Sequence, residues 1–159
     1  HNIIIKLHGF GWEQKKYQYQ NRLCSELSKK SNSIHLLQNE DYDIIPYYLS
    51  ADLLISDISS TLFEYLPVDK PIIQAQCYNL KLKHRIFKKR FWKKMDIDRQ
   101  DNVDFAYQIV EPDDILGMVY YAMDNHDEMS TKRKEATEHY LYKVDGNASS
   151  RLIDTIEAY

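Results

Sequence analysis

Short apolar runs alternate along the chain with longer segments in which apolar residues follow helical spacing. The runs carry almost no charge, which is typical of strands in the interior of a parallel sheet. They predict five strands, at residues 3–7, 34–37, 52–56, 71–74 and 108–110. The first, from Ile3 to Leu7, is expected to be buried on both faces.

The segments between the strands predict helices. Tyr19, Leu23 and Leu27 recur at four-residue spacing in the first of them, which gives that helix an apolar face. The predicted helices cover residues 12–30, 43–50, 61–66, 112–125, 128–142 and 149–158. Because strands alternate with helices, we expect an α/β fold: a Rossmann-like parallel sheet flanked by helices, with right-handed crossovers.

Length and composition narrow the range of functions. The 159 residues fit one domain, 1–159, and a net charge of -3 argues against a nucleic-acid-binding protein. Cys24 and Cys77 suit neither a disulfide framework nor a metal site, and no apolar run is long enough to span a bilayer. Because the sequence opens directly on a strand, we expect the domain to be a fragment of a longer chain.

The segment Leu53–Ile73 carries the clearest chemical signal. Its apolar strand ends in a turn rich in hydroxyl groups, and a helix follows immediately. Ser59, Ser60 or Thr61 can accept hydrogen bonds from the free N–H groups of the first helical turn, and the same N–H groups could bind a phosphate. The turn lies at the carboxyl end of a strand, where parallel sheets bind ligands. A plain helix cap is the alternative, and the chain has no glycine-rich nucleotide motif.

Three motifs carry a resemblance to a known family. The first is Ser56-Asp57-Ile58-Ser59-Ser60, followed by an apolar helix and the strand that begins at Lys70-Pro71-Ile72-Ile73. The second runs from Asp145 to Asp154 and reads DGNASSRLID, and the third is Lys6-Leu7-His8-Gly9. Their order and spacing resemble the C-terminal domain of the CDP-glycerol:poly(glycerophosphate) glycerophosphotransferases, the teichoic-acid polymerase type.

The resemblance implies a function and an architecture. It implies that this chain is the C-terminal, donor-binding half of a two-domain GT-B enzyme, inactive without its N-terminal partner domain. The enzyme would transfer glycerol phosphate, or a related polyol phosphate, from a CDP-activated donor to a growing teichoic-acid-like polymer and release CMP. Its implied partners are CDP-glycerol or a related CDP-polyol and a lipid-linked polymer acceptor.

The candidate site residues fall into three groups. His8 follows the first strand, with Gly9 and Gly11 close after it, and is the candidate catalytic base or hydrogen-bond donor to phosphate. Asp57 is a second catalytic candidate that would orient nearby groups. Ser59, Ser60 and Thr61 are assigned to donor phosphate. A second turn is assigned to the nucleotide and its phosphates, and it comprises Asp145, Gly146, Asn147, Ala148 and Ser149. In this turn Asp145 would accept a hydrogen bond from a ribose or polyol hydroxyl, and Ser149 would cap the last helix.

The remaining candidates concern metals and the membrane. No His, Cys and Asp residues have zinc-site spacing, and Mg²⁺ would bind mainly through substrate phosphates. The basic stretch Lys81–Lys94 contains three aromatic residues, which favours peripheral contact with the cytoplasmic face of the bacterial cell membrane; a solvated loop is the alternative.

Departures from the family pattern keep other functions open. Gly9 stands where the family has proline, Ile58 where tyrosine is common, and Glu64 where aspartate is frequent. A nucleotide-sugar glycosyltransferase or epimerase-like domain of the same fold is one alternative. A non-catalytic polymer- or membrane-binding module is another.

Overall fold

The computed structural model describes residues 1–41, 43–57, 59–77 and 103–158. The fold is α/β, with parallel strands and flanking helices, as the sequence predicts. The five predicted strands are present within two residues of their expected bounds. The chain divides into two compact units, His1–Ser50 and Ala51–Tyr159, and each is described by itself.

The first unit contains a parallel pair of strands and three α-helices among its described residues. Strands β1 (Ile3–Ile5) and β2 (Ile34–Leu36) pair with Ile4 opposite His35. The helices are α1 (Gly9–Glu13), α2 (Gln18–Lys30) and α3 (Ile45–Ser50). Asp43 accepts a hydrogen bond from the backbone N–H of Ile45 and so stabilises the start of α3.

The prediction of one continuous helix over 12–30 is wrong. Helix α1 ends at Gln14, whose backbone is extended (φ -98°, ψ 123°), and a 3₁₀ turn at Lys15–Tyr17 leads into α2. Gln14 and its neighbours are good helix formers, so helix propensity does not predict this break.

The prediction that β1 is buried on both faces is also wrong. Ile3 and Ile4 are 52% and 42% exposed, and the apolar stripe of α2 is exposed at Tyr19, Leu23 and Leu27. Among the described residues, β1 pairs with β2 alone, so no further strand adds side chains to cover it. An apolar run therefore predicted the strand but not its environment.

The second unit is built on three parallel strands in the order β3–β4–β5. Strand β4 (Ile72–Ala75) lies between β3 (Leu54–Ser56) and β5 (Tyr107–Ile109). The α-helices described here are α4 (Thr61–Glu64), α5 (Ile115–Asp124), α6 (Ser130–Leu141) and α7 (Ala148–Glu157), with 3₁₀ turns at Leu66–Val68 and Pro112–Asp114. The helix predicted over 112–125 begins at Ile115, and Pro112 opens the 3₁₀ turn that leads into it.

The core of this unit forms where α5 covers the sheet. Ile73 and Ile109, from adjacent strands, pack with Tyr107 and with Ala122 of α5, and all four are buried. The Tyr107 hydroxyl donates to the Glu128 carboxylate at 2.9 Å. Burial and this hydrogen bond raise the pKa of Tyr107 to about 12, so the phenol stays a neutral donor.

An ion pair between buried Arg133 and partly exposed Asp69 joins α6 to the turn that precedes β4. Arg133 is 1% exposed, and its Nε donates to Asp69 Oδ1 at 2.9 Å. The Arg133 guanidinium also donates to the backbone carbonyls of Asp69 and His126. Asp69 has left-handed backbone geometry (φ 52°), which points its carboxylate and its carbonyl to the same guanidinium. Ser130 donates to the other carboxylate oxygen at 2.7 Å.

Candidate functional site

His8 is the N-cap of α1. Its Nδ1 atom accepts a hydrogen bond from the backbone N–H of Phe10 at 3.1 Å, which satisfies one of the donors that a helix start leaves free. The imidazole ring packs against the Phe10 ring, with 4.5 Å between centroids. His8 is exposed.

The glycines beside His8 have local explanations. Gly9 occupies the first helical position, where proline is also favoured, which accounts for the exchange of the family's proline at this point. Gly11 is buried, and a Cβ atom there would lie 3.3 Å from Leu7 Cβ. The close contact with Leu7 therefore favours glycine at position 11.

The hydroxyl-rich turn after β3 is organised by its own side chains. The hydroxyls of Ser56 and Thr61 lie 2.9 Å apart and share a hydrogen bond across the turn. Ser59 and Thr61 are half-buried, whereas Ser60 and Asp57 are exposed. The turn follows the carboxyl end of β3, as the sequence predicts.

Three N–H groups at the start of α4 already have partners within the turn. Ser59 Oγ accepts from Thr61 N at 3.4 Å, and the Ser59 carbonyl accepts from Leu62 N at 3.3 Å. The Ser60 carbonyl accepts from Phe63 N at 3.0 Å. Helix α4 has four residues and therefore a small dipole. The Ser59 hydroxyl thus accepts from the first helical turn, as the sequence analysis allows, and the assignment of Ser59, Ser60 and Thr61 to donor phosphate stays a prediction.

The second predicted turn is closed by an arginine. Arg151 Nη1 lies 2.7 Å from Asp145 Oδ1 and 2.8 Å from Asp145 Oδ2. Asp145 Oδ1 also accepts from the backbone N–H of Asn147 at 3.0 Å. The hydrogen bonds from Arg151 and Asn147 lower the pKa of Asp145, so the carboxylate stays ionised. Arg151 of α7 is thus a partner that the sequence analysis did not assign to Asp145, and acceptance of a hydrogen bond from a ligand hydroxyl stays a prediction.

Ser149 does not cap α7. The helix begins at Ala148 with Asn147 in the cap position, and Asn147 makes no side-chain capping hydrogen bond. Gly146, at φ +73°, supplies the left-handed turn that leads into the helix, a conformation that glycine adopts without strain. Ser149 is exposed in the first turn of α7, so its hydroxyl is available to a ligand.

The three groups of candidate residues are each ordered locally. His8 belongs to the first unit, and the other two groups belong to the second. In the described part of the second unit, no hydrogen bond or ion pair joins the Ser59–Thr61 turn to the Asp145–Ser149 turn. A common site for the three groups stays a prediction.

Gln74 is a buried polar residue beside the hydroxyl turn that the sequence reasoning did not single out. It is fully buried in β4, opposite Ser56 of β3 and Gln108 of β5 in register. Its Oε1 accepts from Gln76, while its Nε2 meets no acceptor among the described residues. The signal was present in the sequence, because a glutamine directly follows two isoleucines in an apolar strand.

The remaining predictions concern the membrane and metal ions. None of the described helices is long and apolar enough to cross a membrane. In the described ranges, no three His, Cys, Asp or Glu side chains come together as a metal site would require. The basic stretch Lys81–Lys94 lies outside the described residues.

Comparison with known families decides the classification. The model of the family CDP-Glycerol:Poly(glycerophosphate) glycerophosphotransferase matches residues 1–158. The chain belongs to this family. The match includes His8, the hydroxyl turn after β3 and the loop closed by Arg151, so all three features lie in the matched region. No curated protein and no solved structure matches the chain significantly.

Membership of the glycerophosphotransferase family supports a transferase that uses a CDP-glycerol-type donor and a polymer acceptor. The loop closed by the Arg151–Asp145 ion pair lies in the last part of the matched region.

Proposed function

We propose that this chain is the donor-binding half of an enzyme that transfers glycerol phosphate from CDP-glycerol to a growing teichoic-acid-like polymer, with release of CMP. The family match over residues 1–158 carries the proposal. The local geometry supports it, because the hydroxyl turn follows the carboxyl end of a parallel strand, where ligands bind in α/β sheets.

The start of α7 is the better-equipped candidate for the donor phosphates. This helix has ten residues, with Ser149 and Ser150 in its first turn and no acidic residue there. Such a helix start favours an anion through its N–H groups and its dipole. Arg151 holds the preceding loop in place through Asp145. The hydroxyls of Ser59 and Ser60 would add donors to the same phosphates.

The reaction requires positioning and charge neutralisation. A hydroxyl of the acceptor attacks the phosphorus that bears the glycerol group, a new P–O bond forms, and the P–O bond to CMP breaks. The hydroxyl proton leaves to a base or to water, and the departing phosphate accepts hydrogen bonds or a cation. Mg²⁺ would be held mainly by the substrate phosphates.

The acceptor and the location complete the proposal. A lipid-linked polymer would bring the enzyme to the cytoplasmic face of the cell membrane, and the basic, aromatic-containing stretch Lys81–Lys94 has the composition of a segment that contacts anionic lipid. A partner domain on the N-terminal side would supply the acceptor site.

Release of CMP from CDP-glycerol tests the proposed activity. The full-length protein should release CMP in the presence of a glycerol phosphate polymer, and the chain 1–159 alone should bind the donor without turnover. UDP-glucose replaces CDP-glycerol as the control donor. Release of UDP with no release of CMP would assign the chain to nucleotide-sugar transfer instead.

A further inference from the structure

A cavity lies between α1 and α2 of the first unit. Its volume is about 440 Å³, which is in the range of small-molecule sites. The residues that line it are Trp12 of α1 and Gln18, Asn21, Arg22 and Ser25 of α2. The four residues of α2 follow the spacing i, i+3, i+4 and i+7, so they lie on one face of that helix. All of these residues belong to the first unit.

The lining carries a positive charge and several hydrogen-bond donors. The Arg22 guanidinium is always protonated, and among the described residues it makes no ion pair. Asn21 Oδ1 accepts from the Ser25 hydroxyl at 3.1 Å, which leaves the Asn21 amide N–H₂ group as a donor. Glu13 and Glu26 are the acidic residues of α1 and α2, and neither lines the cavity. The chemistry of the lining therefore suits an anion.

Trp12 adds a donor without a partner. Its indole Nε1 is buried and meets no acceptor in the part of the chain that the structure describes. Burial of an N–H group without an acceptor is unfavourable, because the group loses its hydrogen bond to water and gains none in return. A phenylalanine would supply a packing ring without this penalty. A ligand oxygen bound in the cavity would give the indole N–H its missing acceptor.

We propose that this cavity binds a small phosphate ester, whose phosphate oxygens accept hydrogen bonds from Arg22 and from Trp12 Nε1. Guanidinium groups bind phosphate through charge-assisted hydrogen bonds. The indole ring offers an apolar surface to the carbon chain of the ester, for which the cavity has room beyond the phosphate group. Lys15 and Lys16, in the turn between α1 and α2, add positive charge that attracts an anion.

The indole N–H of Trp12 reports directly on the proposed hydrogen bond. The chain has two tryptophans, so its ¹H–¹⁵N correlation spectrum contains two indole signals, and Trp12→Phe identifies the Trp12 signal by its loss. Titration of the chain with glycerol 3-phosphate should move the Trp12 signal until the site is saturated. Glycerol is the neutral control and should leave this signal in place.

Two substitutions on α2 distinguish a site from general charge attraction. Arg22→Gln removes the positive charge in the cavity, whereas Lys29→Gln removes one near the end of the same helix and outside the lining. By calorimetry, Arg22→Gln should weaken glycerol 3-phosphate binding by at least about tenfold, and Lys29→Gln should stay within about twofold of the native chain. Trp12→Phe should weaken binding by about threefold to tenfold. Circular dichroism of each variant reports whether it is folded.

The opposite results would overturn the proposal. They are a Trp12 signal that glycerol 3-phosphate does not move, a signal that glycerol moves equally, and equal weakening in Arg22→Gln and Lys29→Gln. Inorganic phosphate should bind at least about threefold more weakly than glycerol 3-phosphate, and equal affinity would contradict the assignment to an ester. Because these titrations use no nucleotide, a failure to release CMP from CDP-glycerol would refute the proposed function and leave this site standing.

Discussion

The guanidinium group of Arg151 contacts both carboxylate oxygens of Asp145, at 2.7 Å and 2.8 Å, and closes the loop that leads into α7. The same guanidinium lies 5.9 Å from the centre of the Tyr142 ring, and Tyr142 adopts a positive φ of 61°. Both contacts come from Nη1, and Nη2 donates to the Lys143 carbonyl, so the guanidinium is held on two sides of the loop. The first turn of α7 is therefore presented in a defined position, with Ser149 exposed.

Removal of single hydroxyls tests the two phosphate-binding turns. Ser60→Ala and Ser149→Ala should each weaken CDP-glycerol binding by about tenfold to a hundredfold, because a hydrogen bond to a charged group contributes roughly 1.5–3 kcal/mol. The melting temperature should barely change, since Ser60 and Ser149 are exposed. Thr155→Val is the control, because its hydroxyl donates to the Arg151 carbonyl inside α7. Native affinity in both serine variants would exclude these turns from the site.

Loss of the buried guanidinium should destabilise the second unit. Arg133→Met removes the hydrogen bonds to the Asp69 carboxylate and to the Asp69 and His126 carbonyls, and a hydrogen bond of a charged group contributes roughly 1.5–3 kcal/mol. Lys134→Met is the matched control: Lys134 Nζ lies 3.3 Å from the same carboxylate but its side chain is 69% exposed, so about 0–1 kcal/mol is expected. Urea unfolding measures both. An equal loss of unfolding free energy in the two variants would show that the burial of Arg133 does not increase its contribution to stability.

The Asp69 carboxylate should make stability depend on acidic pH. Burial alone would raise the pKa of Asp69, but hydrogen bonds from Ser130 and Arg133 lower it on balance. A lowered pKa in the folded state means that the contribution is complete above the ordinary aspartate value of about 3.9 and is lost as pH falls through the folded pKa. The stability difference between the native chain and Asp69→Asn should therefore shrink below about pH 4. A constant difference down to pH 2.5 would contradict this.

The sequence predicted the elements of this fold better than their environments. The strand at Ile72 and the turn at Ser59–Thr61 follow from local patterns, namely an apolar run and adjacent hydroxyl residues. The contact between Arg133 and Asp69 does not follow from a local pattern, because 64 residues separate the two positions in the sequence. The break at Gln14 was hidden because helix formers surround it.

The candidate site shows the same division. The sequence predicted that His8 follows a strand. It did not predict that His8 Nδ1 accepts a hydrogen bond from the backbone N–H of Phe10. Asp145 and Arg151 both lie in a motif that is visible in the sequence, but the motif alone does not show that their side chains pair. Side-chain partners depend on backbone geometry, and residue identity alone does not supply it.

Binding to anionic vesicles tests the proposed membrane contact. Sedimentation of the chain with vesicles containing phosphatidylglycerol should decrease as salt rises, because exposed charges are screened over about 8–10 Å near physiological ionic strength. Changing five basic residues of the stretch to glutamine should abolish binding: Lys88, Lys89, Arg90, Lys93 and Lys94. The control changes Lys15, Lys16, Lys29 and Lys30 to glutamine. Equal loss in both sets would indicate general charge attraction, and no loss in the first set would remove the stretch from membrane contact.

The identity of the nucleotide is the most direct test of the whole account. Calorimetric titrations of the chain with CDP-glycerol, CMP, UDP and UDP-glucose, under one buffer and salt condition, compare the donor classes. We predict that CDP-glycerol binds at least about tenfold more tightly than UDP or UDP-glucose, a difference of about 1.4 kcal/mol, and that CMP also binds. Tighter binding of UDP-glucose than of CDP-glycerol would contradict a CDP-glycerol donor site.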